Sequence, residues 1–218
     1  MDPILDVYEM TPMQAGMLFQ SLLDPQAGAY VQQYRGRLEG PLDAAAFRAA
    51  WAAAIARHDL LRAACHWQDL DRPAFAIHAE AEPDWTCLDW RGAPDVEARL
   101  ADWLAQDRAR GVDLAAAPLM RFALIRTGEA ERIFVWTFHH LLLDGWSGAL
   151  LVREMLTILA GEDPGPPPPP FRAFADWRAA RDREAARGTW TAALAGAELP
   201  TPLGLERPGG APGLAEHR

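Results

Sequence analysis

The chain has 218 residues, half of them hydrophobic, enough to bury one substantial core. Its formal charge is −9, and its 21 basic residues, all arginine, are scattered rather than gathered into a stripe, which argues against nucleic acid or an anionic membrane as partner. Cys65 and Cys87 lack metal-ligand spacing and read as free thiols; no secretory signal opens the chain and no apolar run reaches the roughly 20 residues of a membrane span, so a soluble cytoplasmic protein is expected.

Thr11-Pro12-Met13-Gln14 supplies an N-cap hydroxyl, a proline at the first helical position and a glutamine at the third. With Met17, Leu18 and Leu22 at helical spacing, it predicts a helix over 12–23. Residues 30–38 suit a strand, weakened by Gly36, and Asp43 then caps an Ala-rich helix carrying Phe47, Trp51 and Ile55 and ending near His58. Short strands are expected over 61–67, 75–78 and 85–89, followed by a helix with Val96, Leu100, Trp103 and Leu104 on its apolar face, reaching about Arg110. The apolar runs 119–126 and 132–139 read as adjacent strands, a hairpin around Thr127-Gly128-Glu129-Ala130-Glu131.

Beyond His140, Ser147 is expected to cap an apolar helix running to about Leu159, stopped by Gly161 and the proline-rich segment 164–170, itself a stiff spacer. Two further helices are expected over 171–187 and 189–195, and a linker or loose tail over 199–218. The sum is an α/β chain with interleaved helices and strands and no internal repeat.

Chemistry concentrates in His139-His140-Leu141-Leu142-Leu143-Asp144-Gly145, where an apolar strand gives way to a loop. Adjacent strand residues point to opposite faces, so only one histidine is expected to face a cavity. An imidazole moves protons near neutral pH, Asp144 can accept a hydrogen bond or pair with an arginine, and Gly145 permits unusual backbone angles or close ligand approach. On spacing alone, a histidine pair at a strand end is equally a structural feature. Gly145-Trp146-Ser147-Gly148-Ala149 approaches a serine nucleophile elbow, but 141–146 separate the strand from Ser147. A metal held by His140 and Asp144 lacks a third ligand nearby, so no metal is expected.

His139 to Gly145 matches the HHxxxDG motif, and the chain resembles the condensation domains of nonribosomal peptide synthetases, within the chloramphenicol acetyltransferase-like superfamily. Three further segments fit in order. Residues 11–19, Thr-Pro-Met-Gln-Ala-Gly-Met-Leu-Phe, resemble the first core motif in the form that joins two L-configured units. Arg57-His58-Asp59-Leu60-Leu61-Arg62 resembles the second, with Asp59 in place of Glu, and Phe171-Arg172-Ala173-Phe174-Ala175-Asp176-Trp177 is a looser match to the one after the active-site helix. Both histidines are kept, and the text after Asp144 fits ordinary condensation better than epimerization or cyclization.

The resemblance implies a mixed β-sheet flanked by helices, with residues 1–198 as the N-terminal lobe and 199–218 as an inter-lobe linker. His140 would be the catalytic imidazole and His139 structural. Asp144 would form a buried ion pair with Arg62, Gly145 would border the route of a phosphopantetheine arm, and Trp146 and Ser147 are candidates to line the substrate channel. Implied partners are donor and acceptor peptidyl carrier proteins and a C-terminal lobe, to which nothing in this text corresponds. No cofactor is bound directly, since the substrates ride on the carriers' 4'-phosphopantetheine. An isolated lobe is expected to form little or no amide by itself. It is expected to expose a surface through which it could self-associate, the alternative role being a non-catalytic module that docks carriers or a partner lobe.

Overall fold

The structure is a computed structural model that describes residues 3–197, and the expected linker over 199–218 lies outside them. The chain divides into two compact units, Met1–Ala179 and Ala180–Arg218. The first contains β1 (Ile4–Glu9), α1 (Pro12–Leu23), β2 (Val31–Glu39), α2 (Ala44–Arg57), β3 (Ala63–His66), β4 (Ala74–His78) and β5 (Asp84–Asp89). It continues through α3 (Val96–Ala109), β6 (Met120–Arg126), β7 (Glu131–His139), α4 (Gly145–Leu159) and α5 (Phe171–Ala179). In the second unit the described residues form α6 (Arg183–Ala193).

The expected α/β arrangement of interleaved helices and strands is present, but its strands form two sheets where one was expected. Strands β1-β4-β3 make a small antiparallel sheet, and β2-β7-β6-β5 a mixed one in which β5 runs parallel to β6. The central strands β6 and β7 of the mixed sheet are buried on both faces and read as nearly continuous apolar text, while β2 and β5 flank them and are more exposed. On one face Trp51 of α2, wholly buried, meets Phe122 at 4.6 Å, Trp136 at 5.1 Å and Phe134 at 5.5 Å between ring centroids. On the other, Ile125, Ile133 and Val135 pack with Leu100 of α3 and Trp90. Asp107 and Arg121 form a buried ion pair there, and Thr137 and Gln33 donate to the same carboxylate at 2.6 and 2.8 Å. Burial raises the Asp107 pKa, but these donors outweigh it and hold the carboxyl below its ordinary value.

Three expectations need local correction. Ser147 does not cap α4. Asp144 does, its Oδ1 accepting from Ser147 N at 2.8 Å, so the helix starts at Gly145. Residues 59–62 form a 3₁₀ turn, which delays β3 to Ala63. The helix expected over 171–187 ends at Ala179, and Asp182 opens a new one by accepting from the backbones of Glu184 and Ala185 at 2.9 Å. Strand β1 was not anticipated: only Tyr8 of its six residues is buried, so it carries no inward–outward alternation.

Candidate functional site

The site is built where β7 ends. Antiparallel pairing sets Val31 opposite His139, and the ladder runs one residue further through His140 N donating to Tyr30 O at 2.8 Å. Alternation then sends the two imidazoles apart.

His139 is buried, 1% exposed, and both ring nitrogens are engaged. Leu141 N donates to Nδ1 at 3.2 Å, so Nε2 carries the proton and donates to Ser21 Oγ at 3.0 Å, while Ser21 donates onward to Met17 O at 2.9 Å. Burial, and secondarily the neighbouring His140, pull the His139 pKa from 6.5 down to about 4. A neutral ring committed at both ends ties the loop to α1.

His140 is half-buried and differently bound. Its Nδ1 lies 2.6 Å from Leu143 O. A carbonyl only accepts, so Nδ1 bears the hydrogen and the lone pair of the neutral ring sits on Nε2. Among the described residues Nε2 has no protein partner.

Two hydrogen bonds from α1 fix the loop. Ser21 holds His139, and Gln14 Nε2 donates to Leu141 O at 3.3 Å. The Gln14 Oε1 accepts from the Thr11 amide at 3.1 Å and its hydroxyl at 2.8 Å. The Thr-Pro-Met-Gln segment is therefore at once a capping box and a buried strut under the histidine loop.

Asp144 and Arg62 do not form the expected buried ion pair. Asp144 is exposed, occupied with capping α4, and its carboxyl is held below its ordinary value by the backbone and then the side chain of Ser147. Arg62 donates instead to the carbonyls of Ala56 at 2.5 Å and Ile55 at 3.4 Å, at the end of α2, and to His78 O at 3.0 Å. A guanidinium fork suits the unsatisfied carbonyls of a helix C-terminus, and a helix N-terminus suits a carboxylate, so each group is satisfied where it stands.

The rest of the second motif works on α4 and α5. Arg57 Nε and His58 Nε2 both bind Glu154 of α4, the histidine at 2.7 Å, and the Arg57 guanidinium donates to Gly165 O and Pro166 O at 2.9 and 3.1 Å. Burial raises the Glu154 pKa, but His58 and Arg57 outweigh it and keep it below its ordinary value. Asp59 accepts from Phe171 N at 3.1 Å, and Arg172 pairs with Asp6 of β1 at 2.7 Å. Glu154 and Ser21 escaped the sequence reading because their partners lie 97 and 118 residues away. One signal was present for Glu154, a carboxylate within a predominantly apolar helix.

Gly145 has no left-handed backbone angle, and a Cβ there would meet only the Tyr34 hydroxyl, at an ordinary 3.9 Å. Of the two reasons for glycine, backbone freedom is thus unused. Gly148 differs, since its Cβ would approach Tyr34 Cε2 to 3.3 Å. Trp146 is 79% exposed, and Ser147 is exposed within the first turn of α4 rather than at a strand-to-helix elbow. No three His, Cys, Asp or Glu side chains gather as a metal site among the described residues, and no described helix is long and apolar enough to cross a membrane.

The family model described as "Condensation domain" matches residues 4–209. The chain is 41% identical to one of the linear gramicidin synthase polypeptides of Brevibacillus parabrevis over 99% of its own length and 4% of that protein. It is 36% identical to bacitracin synthase 3 of Bacillus licheniformis over 87% of its length and 3% of that protein. Among solved structures it resembles a variant of the starter condensation domain of rhizomide synthetase in a product-released conformation, with TM-score 0.78 and 21% identity over 90% of this chain and 47% of that one. It also resembles the first condensation domain of the calcium-dependent antibiotic synthetase, with TM-score 0.70 and 22% identity over 87% and 48%. The chain thus spans about half of each solved condensation domain and a small fraction of the synthetases.

Proposed function

The chain belongs to the condensation-domain family, and on that premise we propose that it is the histidine-bearing lobe of a site joining a carrier-bound acyl thioester to a carrier-bound amine. The amine nitrogen attacks the thioester carbonyl, a tetrahedral intermediate forms, and its collapse breaks the C–S bond to leave an amide and a carrier thiol. The nitrogen must lose a proton and the departing sulfur must gain one. His140 Nε2 accepts the first and returns it to the sulfur, orienting the amine meanwhile. Such proton transfer contributes about 10²- to 10⁴-fold, and positioning adds to it.

One observation carries this reading: the Nδ1 hydrogen bond to Leu143 O puts the lone pair on Nε2, which has no protein partner among the described residues. His139, Gln14 and Ser21 hold that ring's backbone. Gly145, where packing demands no glycine, leaves room beside the loop for the phosphopantetheine arm, and exposed Trp146 and Ser147 flank the same approach. Residues 1–198 form the lobe and 199–218 the connection onward. Because solved relatives are about twice as long, the lobe closes its channel against a C-terminal lobe and is nearly inactive without one. The test is an amide-forming assay with loaded donor and acceptor carriers, run on the chain alone and with a separately supplied C-terminal lobe of a condensation domain. Product only in the second case is expected. Equal product from the chain alone refutes the need for a second lobe, and none in either case refutes the reading.

A further inference from the structure

We infer that Tyr34 is a specificity-determining residue, a wall that sets how long a carrier-bound acyl group fits beside His140. This rests on the reading that such groups reach His140 past the start of α4. Tyr34 lies on β2 opposite Trp136, and alternation along β7 places positions 136, 138 and 140 on one face of the sheet. Tyr34 is therefore on the His140 side. Its ring lies edge-on to Trp136 and Phe138, with centroids 5.8 and 5.3 Å apart.

Helix α4 has no side chain where it crosses this ring. Gly145 and Gly148 stand one turn apart on one helix face, and the nearest atom to a Cβ on either belongs to Tyr34: the hydroxyl at 3.9 Å and Cε2 at 3.3 Å. The phenol thus fills a notch whose helical side is bare backbone and whose floor is two buried aromatic rings. It remains 39% exposed at the open end, next to the loop that holds His140, and its hydroxyl makes no hydrogen bond among the described residues. A smaller residue at 34 deepens an apolar notch open towards Gly145 at the start of α4 and leaves the His140, Leu143 and Asp144 contacts untouched.

The test uses the chain with a separately supplied C-terminal lobe of a condensation domain and two non-hydrolysable probes, acetyl- and octanoyl-aminopantetheine, in which NH replaces the thioester sulfur. Binding is measured calorimetrically for the unmodified chain, Tyr34→Phe, Tyr34→Ala and Tyr34→Leu, with melting temperatures recorded. Tyr34→Phe is expected to keep the ratio of the two dissociation constants within about twofold, since the wall is retained. Tyr34→Ala is expected to shift that ratio toward the octanoyl probe by about tenfold, the effect of burying roughly two more methylene groups. Tyr34→Leu shifts it the same way by less, and decides the matter should the alanine variant fail to fold. A ratio that stays constant in folded variants overturns the wall while sparing the proposed function. Binding of neither probe by the unmodified chain with that lobe supplied overturns both.

Discussion

Lowering the pH from about 7 to about 5 isolates the buried first histidine. In the folded chain burial holds the His139 pKa near about 4, whereas an unfolded histidine titrates near about 6.5. The folded value is the lower one, so the unfolded chain takes up the proton first. The stability due to neutral burial is complete above about pH 6.5 and is lost as pH falls towards about 4. Integrating between about pH 7 and 5 gives a loss of about 2 kcal/mol, or roughly 4–8 °C in melting temperature for a chain of this size. Carboxylates held low, such as Asp107, Glu154 and Asp144, also lose stability in acid, but mostly below about pH 5. The assay is thermal unfolding across this range, comparing the unmodified chain with His139→Asn, whose amide oxygen can still accept from Leu141 N. The variant is expected to be less stable at neutral pH, through loss of the Ser21 contact, but to show a flatter profile. Parallel loss of stability in both proteins would refute burial of a neutral His139.

Asp144→Ala should cost about 1 kcal/mol as a lost N-cap, and Arg62→Ala about 1–2 kcal/mol as carbonyls left without their donor. Because the two do not meet, the double variant should be additive within about 0.5 kcal/mol by denaturant unfolding, and a coupling of about 2 kcal/mol would restore the ion pair. Glu154→Ala strands the partly buried Arg57 guanidinium and leaves His58 Nε2 without its partner, and should lower stability by about 2–3 kcal/mol at neutral pH. Glu154→Gln, which keeps the shape, should cost less. Gly145→Ala has no neighbour to strike, so its melting temperature should match the unmodified chain while amide formation by the completed domain falls by about tenfold or more. A fall in melting temperature instead would make that glycine a packing requirement.

Much of the fold could be read directly from the sequence because its signals are local. The Thr11-Pro12-Gln14 start and the Asp43 cap mark α1 and α2, and the apolar runs on either side of Gly128 mark β6 and β7. What was misread turned on choices between neighbours or on distant partners. Asp144 and Ser147 are both good helix caps three residues apart, and only the backbone settles which one accepts and which donates. Tyr8 is a strand's single inward residue, so β1 shows no period. At the site, sequence alone leaves the histidine pair as either structural or reactive. Folded, the two differ: His139 has both nitrogens occupied, while His140 uses one among the described residues. The Arg62–Asp144 pairing failed because it came from resemblance rather than from local chemistry, and each group has a helix terminus to satisfy.

The most direct measurement is the single-turnover rate of amide formation with loaded donor and acceptor carriers and a supplied C-terminal lobe, comparing the unmodified chain with His140→Ala. The account predicts a loss of about 10²-fold or more with the melting temperature retained. An unchanged rate in the folded variant would contradict it.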